Sequence, residues 1–108
     1  MTGGGQLAPD TTLGLTAKSD ANGVKGGCRV IDRTLGATVK CVDVTSFVES
    51  VNHVTFSGNA LVNGASTSYR IDVTDNADPG TGVDSFAIHA GAYNAGGTLT
   101  QGSIQIHG

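Results

Sequence analysis

The stretch Cys28-Arg29-Val30-Ile31-Asp32-Arg33-Thr34-Leu35-Gly36-Ala37-Thr38-Val39-Lys40-Cys41 decides how the chain folds. Cys28 and Val30 alternate with Arg29 and Ile31 before the short connection at residues 33–36. The strands are expected over Val24 to Asp32 and Ala37 to Val44, and in the second Val39 and Cys41 alternate with Thr38 and Lys40. Alternation of this kind marks strands with one wet face and one dry face. A hairpin centred between Thr34 and Leu35 sets Cys28 opposite Cys41 and Val30 opposite Val39. Directly opposed residues hold their Cβ atoms about 4.5–5.5 Å apart, so a non-hydrogen-bonded cysteine pair needs only slight closure to form a disulfide. The same register sets Arg29 against Lys40 on the wet face, a like-charge pair that Asp43 or solvent would relax. An even cysteine pair in such a chain points to a disulfide made in an oxidising compartment. Two buried thiols in a cytosolic protein are the alternative. A two-thiol metal site lacks the CxxC or neighbouring Cys/His spacing that zinc sites use.

Working outward, the same period recurs and no helical one does. Leu13, Leu15 and Ala17 alternate with Thr12, Gly14, Thr16 and Lys18, and residues 19–23 form a dense turn signal. Thr45 to Asn52 is less regular. Val54, Phe56, Gly58, Ala60 and Val62 then share one face, and Asn63-Gly64 closes a hairpin whose loop extends at most through Ala65 and Ser66. The return strand puts Tyr69, Ile71 and Val73 on its dry face. A polar loop, Asp75 to Gly82, leads to the alternation Phe86, Ile88, Ala90. Residues 91–97 are expected as a turn region holding Tyr93, and residues 98–107 as the last strand, with Gly102 at a bend or bulge. The Gly-rich segments Gly3-Gly4-Gly5 and Gly96-Gly97 to Gly102 are weak strands alone, so pairing the first strand with the last is expected to hold both. The expectation is one all-β domain over residues 1–108, an antiparallel β-sandwich or closed β-barrel. It has about eight strands, largely joined by hairpins.

Composition bounds the function. The 108 residues include 17 Gly, three Phe, two Tyr and no Trp, so the core rests on aliphatic side chains and a covalent staple would help it. Six basic against nine acidic residues give a formal charge of −3, which is not the footprint of a nucleic-acid binder. No apolar run is long enough for a membrane-spanning helix. No charged n-region precedes an apolar h-region, so any secretion signal is expected to be absent from this chain.

The second half resembles a specific family. The run Val54-Thr55-Phe56-Ser57-Gly58-Asn59-Ala60-Leu61-Val62-Asn63-Gly64 is followed by residues 69–80, by Asp84-Ser85-Phe86-Ala87-Ile88, and by Gly96-Gly97-Thr98-Leu99 with Gly102-Ser103-Ile104-Gln105-Ile106-His107. Together these resemble the post-COAP-1 domains of exported bacterial proteins. Gly27, Val30, Asp32, Gly36, Val39 and Lys40 match the family's earlier strand pair. Ala77 and Asp78 stand where the family usually has Gly and Glu, and the spacing from Gly80 to Asp84 is longer. The resemblance implies an exported β module and supplies no activity or catalytic residues.

Several side-chain groups are candidate sites. Asp72, Asp75, Asn76, Asp78 and Asp84 lie within thirteen positions among Gly and Pro, an oxygen-rich set of the kind calcium takes. Their spacing is not that of an EF-hand loop, and Asx turns explain the same residues. His53, His89 and His107 fall singly on different strands and are expected at the surface. No G-x-S-x-G elbow occurs, and Glu49 is the only glutamate, so no catalytic residue is assigned. Tyr69 faces inward by parity, leaving Tyr93 as the one loop aromatic for a sugar to stack on. The chain therefore reads as a non-catalytic secreted or bacterial cell-surface module with a protein or glycan partner, and with no cofactor unless the acidic loop takes calcium. The alternative is a small-ligand or glycan-binding β-barrel.

Overall fold

The alternating stretches form ten strands. A computed structural model describes residues 2–7, 10–20, 23–75 and 84–105. In chain order the strands are β1 (Thr2–Leu7), β2 (Thr11–Asp20), β3 (Gly23–Asp32), β4 (Ala37–Cys41), β5 (Ser46–Glu49), β6 (His53–Val62), β7 (Ala65–Thr74), β8 (Ser85–Ala90), β9 (Tyr93–Thr98) and β10 (Gln101–Gln105). Every pairing is antiparallel, and no helix occurs among the described residues.

The strands follow the order β10-β1-β2-β3-β4-β6-β7-β8-β9, and β5 pairs with β6 on the edge that β4 also uses. β9 and β10 are one run interrupted at Leu99-Thr100, its first half paired with β8 and its second with β1. That run joins the two ends of the sheet, so eight runs make a nearly closed barrel. The expected pairing of the first strand with the last is present, Gly3 to Gly5 lying opposite Ile104 to Gly102. At this seam closure removes two edges that would otherwise template association. The barrel is flattened, with principal extents of 35 × 32 × 15 Å. Facing sheets pack about 10 Å apart, so the interior holds interleaved side chains and no wide lumen. Val30, Val39, Val54, Phe56, Ile71, Val73, Phe86, Ile88 and Leu99 fill it.

The hairpin expected at the start is realised in register. Arg29 pairs with Lys40 and Val30 with Val39, and Cys28 is bonded to Cys41 with their Cα atoms 4.8 Å apart. Asp32 holds the turn, its Oδ1 accepting the Thr34 and Leu35 amides at 3.0 and 3.1 Å. At the β6–β7 hairpin, Asn63 and Gly64 take φ of 51° and 88°, as a two-residue primed turn requires. Val62 already pairs with Ala65, so the loop does not extend further.

Three details depart from the expectation. Residues 93–98 are a strand and only Gly91-Ala92 form the turn, because Tyr93 is buried and anchors that run. Gly102 sits in regular register opposite Gly5. The strand expected to run on to Val44 ends at Cys41, and two bulges separate it from β5, which lies within the stretch expected to be irregular. Five steps from Cys41 to Ser46 oppose three from Ala60 to Ser57, so two residues are extra. The Val42 and Asp43 amides both donate to the Asn59 carbonyl, at 2.7 and 3.4 Å. The Thr45 amide shares the Ser57 carbonyl at 2.8 Å, next to the Ser46–Ser57 pair. Two amides on one carbonyl is the signature of a bulge. Asp43 also turns its carboxylate to Asn59, accepting the backbone amide at 2.8 Å, and so is not the partner expected for Arg29 and Lys40.

Candidate functional site

Polar chemistry gathers in two places, one at an end of the barrel and one on its outer wall. At the end, the buried Asp32 receives three hydrogen bonds. Its Oδ1 takes the two turn amides, and its Oδ2 takes the Tyr93 hydroxyl at 3.0 Å. This contact ties the β3–β4 turn to the start of β9, sixty-one positions away in sequence. Beside it lies an open depression of about 300 Å³, walled by Leu7, Thr11, Asp32, Thr34, Leu35 and Ala95 among others. Among the described residues no buried side-chain polar atom lacks a hydrogen-bond partner. That is the pattern of a structural network.

The outer wall carries the second group. Thr55 pairs with Asp72 across β6 and β7, and the Thr55 hydroxyl donates to Asp72 Oδ1 at 2.6 Å. Arg70 Nε lies 3.2 Å from Asp72 Oδ2. His53 bridges the Thr74 hydroxyl at 3.1 Å and the Thr55 hydroxyl at 3.2 Å. Partial burial pushes the Asp72 carboxyl upward, but Thr55, Arg70 and His53 outweigh it and hold Asp72 below the ordinary carboxylate value. On the same wall His89 is hydrogen-bonded to Asn94. These groups are exposed or half-exposed.

No family model matches this chain, and no curated protein or solved structure matches it either.

Of the acidic set, Asp72 is placed on the outer wall with Thr55 and Arg70, whereas Asp84 is fully buried beside β8 with its carbonyl accepting the Leu99 amide at 2.8 Å. Asp75 is half-buried at the end of β7, and Asn76 and Asp78 lie outside the described residues. His53 and His89 are on the outer wall as expected, and His107 lies outside the described residues. Among the described residues no three His, Cys, Asp or Glu side chains converge as metal ligands would. Tyr93 is not the loop aromatic expected for sugar stacking; its ring is buried and its hydroxyl serves Asp32. Alternation misplaced it because Gly91 to Gly97 reads as turn composition. No local signal marks Asp32 as its partner.

Both tyrosines report on this packing. Burial, helped by the Asp43 charge, pushes the Tyr69 hydroxyl to about 12, and its proton is donated to the Asp43 carbonyl at 2.7 Å. Burial, then the hydrogen bond to Asp32 and its charge, likewise lifts Tyr93 to about 12. The ordinary value is 10.0. A proton held more tightly in the folded state stabilises it fully below pH 10.0, and that contribution is lost as pH rises toward 12. The chain has two Tyr and no Trp, so tyrosinate absorbance reads these groups alone. Its midpoint is expected near 12, together with alkaline unfolding. Native protein ionising at 10.0 would contradict this account of both rings.

Proposed function

We propose that the chain is a non-catalytic module exported from a bacterial cell, a structural or interaction domain that meets a protein or glycan partner through its surface. The disulfide carries the reading. Cys28 and Cys41, both buried, close across the β3–β4 hairpin, and such bonds persist in oxidising compartments. The apolar interior and the flat, internally hydrogen-bonded outer wall support a scaffold over a catalyst. Similarity of the quoted motifs to post-COAP-1 domains supports export. No helix among the described residues is long and apolar enough to cross a membrane. We assign the module no cofactor, since the Asp72 carboxylate is engaged by Thr55 and Arg70. A second reading, binding of a small ligand or glycan, is favoured by the depression beside Asp32, whose wall mixes Leu7 and Leu35 with Thr11 and Thr34.

Fractionation of the native producer, with thiol alkylation and mass spectrometry, tests the reading. The chain is expected outside the cytoplasm with Cys28 bonded to Cys41. Two alkylated thiols in a cytoplasmic chain would overturn it.

A further inference from the structure

The barrel is closed at one corner by the β9–β10 run, but at the other corner it is only half closed. β3 pairs with β4 from Arg29 to Asp32, and its first half pairs only with β2 among the described residues. β5, displaced by the two bulges, pairs only with β6 among the described residues. Among these residues its far side is a strand edge without a ladder partner.

The hydrogen-bond parity of that edge can be read directly. The Ser50 amide donates to the His53 carbonyl at 2.7 Å, in the register that sets Ser46 opposite Ser57. In an antiparallel ladder, hydrogen-bonded and non-hydrogen-bonded pairs alternate. Ser46 and Val48 therefore aim their amides and carbonyls at β6, and Phe47 and Glu49 aim theirs outward. Phe47 turns its ring to the core, while Val48 is 63% exposed. Of the four large apolar side chains exposed among the described residues, Val42, Val48 and Val51 belong to this one segment, and Val51 is 100% exposed. An apolar strand with a free edge is a template for another strand.

We propose that β5 is the contact by which two copies of this chain associate, edge to edge across a two-fold axis through Val48. The inference deepens the surface-interaction reading above and rests on it only for its setting. Parity allows few self-pairings, because outward residues must meet outward residues. Centring on Glu49 opposes two like charges, which is destabilising. Centring on Phe47 pairs Glu49 with Thr45 of the bulge, where the ladder is already disrupted. Centring on Val48 pairs Phe47 with Glu49 of the second copy in both directions, so all four residues of β5 are used. It brings the two Val48 side chains together as a non-hydrogen-bonded pair, the closer of the two pair types. This is an isologous contact, each copy offering the same patch.

The test uses the whole chain. Its two cysteines are bonded to each other, so an added cysteine is the single free thiol. Sedimentation across a concentration series up to the millimolar range is expected to show a monomer–dimer equilibrium. Val48→Lys is expected to sediment as a monomer throughout with an unchanged melting temperature. Val48→Cys is expected to form a covalent dimer under mild oxidation at least ten-fold faster than Val42→Cys, which sits away from the axis. A wild-type chain that is monomeric at every concentration overturns the proposal, as does a Val48→Cys chain that cross-links no faster than Val42→Cys. Val48→Cys decides the matter even if Val48→Lys does not fold. A monomer leaves the exported-module reading standing, since that reading rests on the disulfide.

Discussion

Reducing the Cys28–Cys41 bond in the otherwise unchanged chain is expected to cost about 3 kcal/mol of stability, since a bridge closing a loop of roughly fifteen residues removes about that much conformational freedom from the unfolded chain. A small domain shifts its melting temperature by about 4–8 °C per kcal/mol, so the midpoint should fall by something on the order of 10–20 °C. The effect is large because the rest of the core is thin. It holds three Phe and no Trp, and native domains are stable by only about 5–15 kcal/mol in total. Reduction is a cleaner comparison than Cys28→Ser, which also buries a hydroxyl among Val30 and Val39, although the serine variant should fall in the same direction. Scanning calorimetry with and without reductant measures it. Superimposable melts would mean that the packed hairpin needs no staple, and the case for an oxidising compartment would weaken with it.

Most of the barrel was legible because its information is local. Parity alone assigned Leu13, Leu15, Ala17, Val54, Phe56, Gly58, Ala60, Val62, Tyr69, Ile71, Val73, Phe86, Ile88 and Ala90 to the interior, and all are buried except Val62, which is half-buried at the hairpin end of β6. The Cys28–Cys41 register followed from counting residues across a four-residue turn, and Asn63-Gly64 named its own hairpin. What was not legible depends on partners distant in sequence. Tyr93 is buried because Asp32 lies under it, and nothing in the Gly-rich sequence around Tyr93 carries that information. β5 escaped for a different reason. Two bulges shift the parity of Val42 to Ser46 relative to Cys41, so the alternation resets midway and looks like no period at all. The outer-wall group was half legible. His53 and Asp72 could be placed on strands from the sequence, but their meeting through Thr55 needs the β6–β7 register.

The bulges also yield the sharpest contrast between two similar residues. Gly58 and Gly14 are both strand glycines, and elementary propensity says that alanine should improve either one, by roughly 0.5–1 kcal/mol. At Gly14 a Cβ would meet nothing within 4 Å, so Gly14→Ala is expected to follow the rule and stabilise the chain. At Gly58 the same atom would sit 2.3 Å from the Asp43 carbonyl oxygen and 2.7 Å from Asp43 Oδ1. The obstacle is backbone, held by the Asp43 amide on Asn59 and by the Tyr69 hydroxyl on the Asp43 carbonyl. It cannot swing aside as a flexible side chain would. Relief requires moving the bulge, which breaks the Asn59 bonds to the Asp43 carboxylate and pulls the Asp43 carbonyl from Tyr69. Gly58→Ala is therefore expected to destabilise the chain by about 3 kcal/mol, the upper part of the range for overpacking. Tyr69, set directly across from Gly58, should then ionise closer to its ordinary value. Urea unfolding of the two variants with a common slope gives both signs in one experiment. A Gly58→Ala chain as stable as wild type would mean that the Asp43 backbone is not fixed where its hydrogen bonds place it, and the bulge that creates the β5 edge would lose its physical basis.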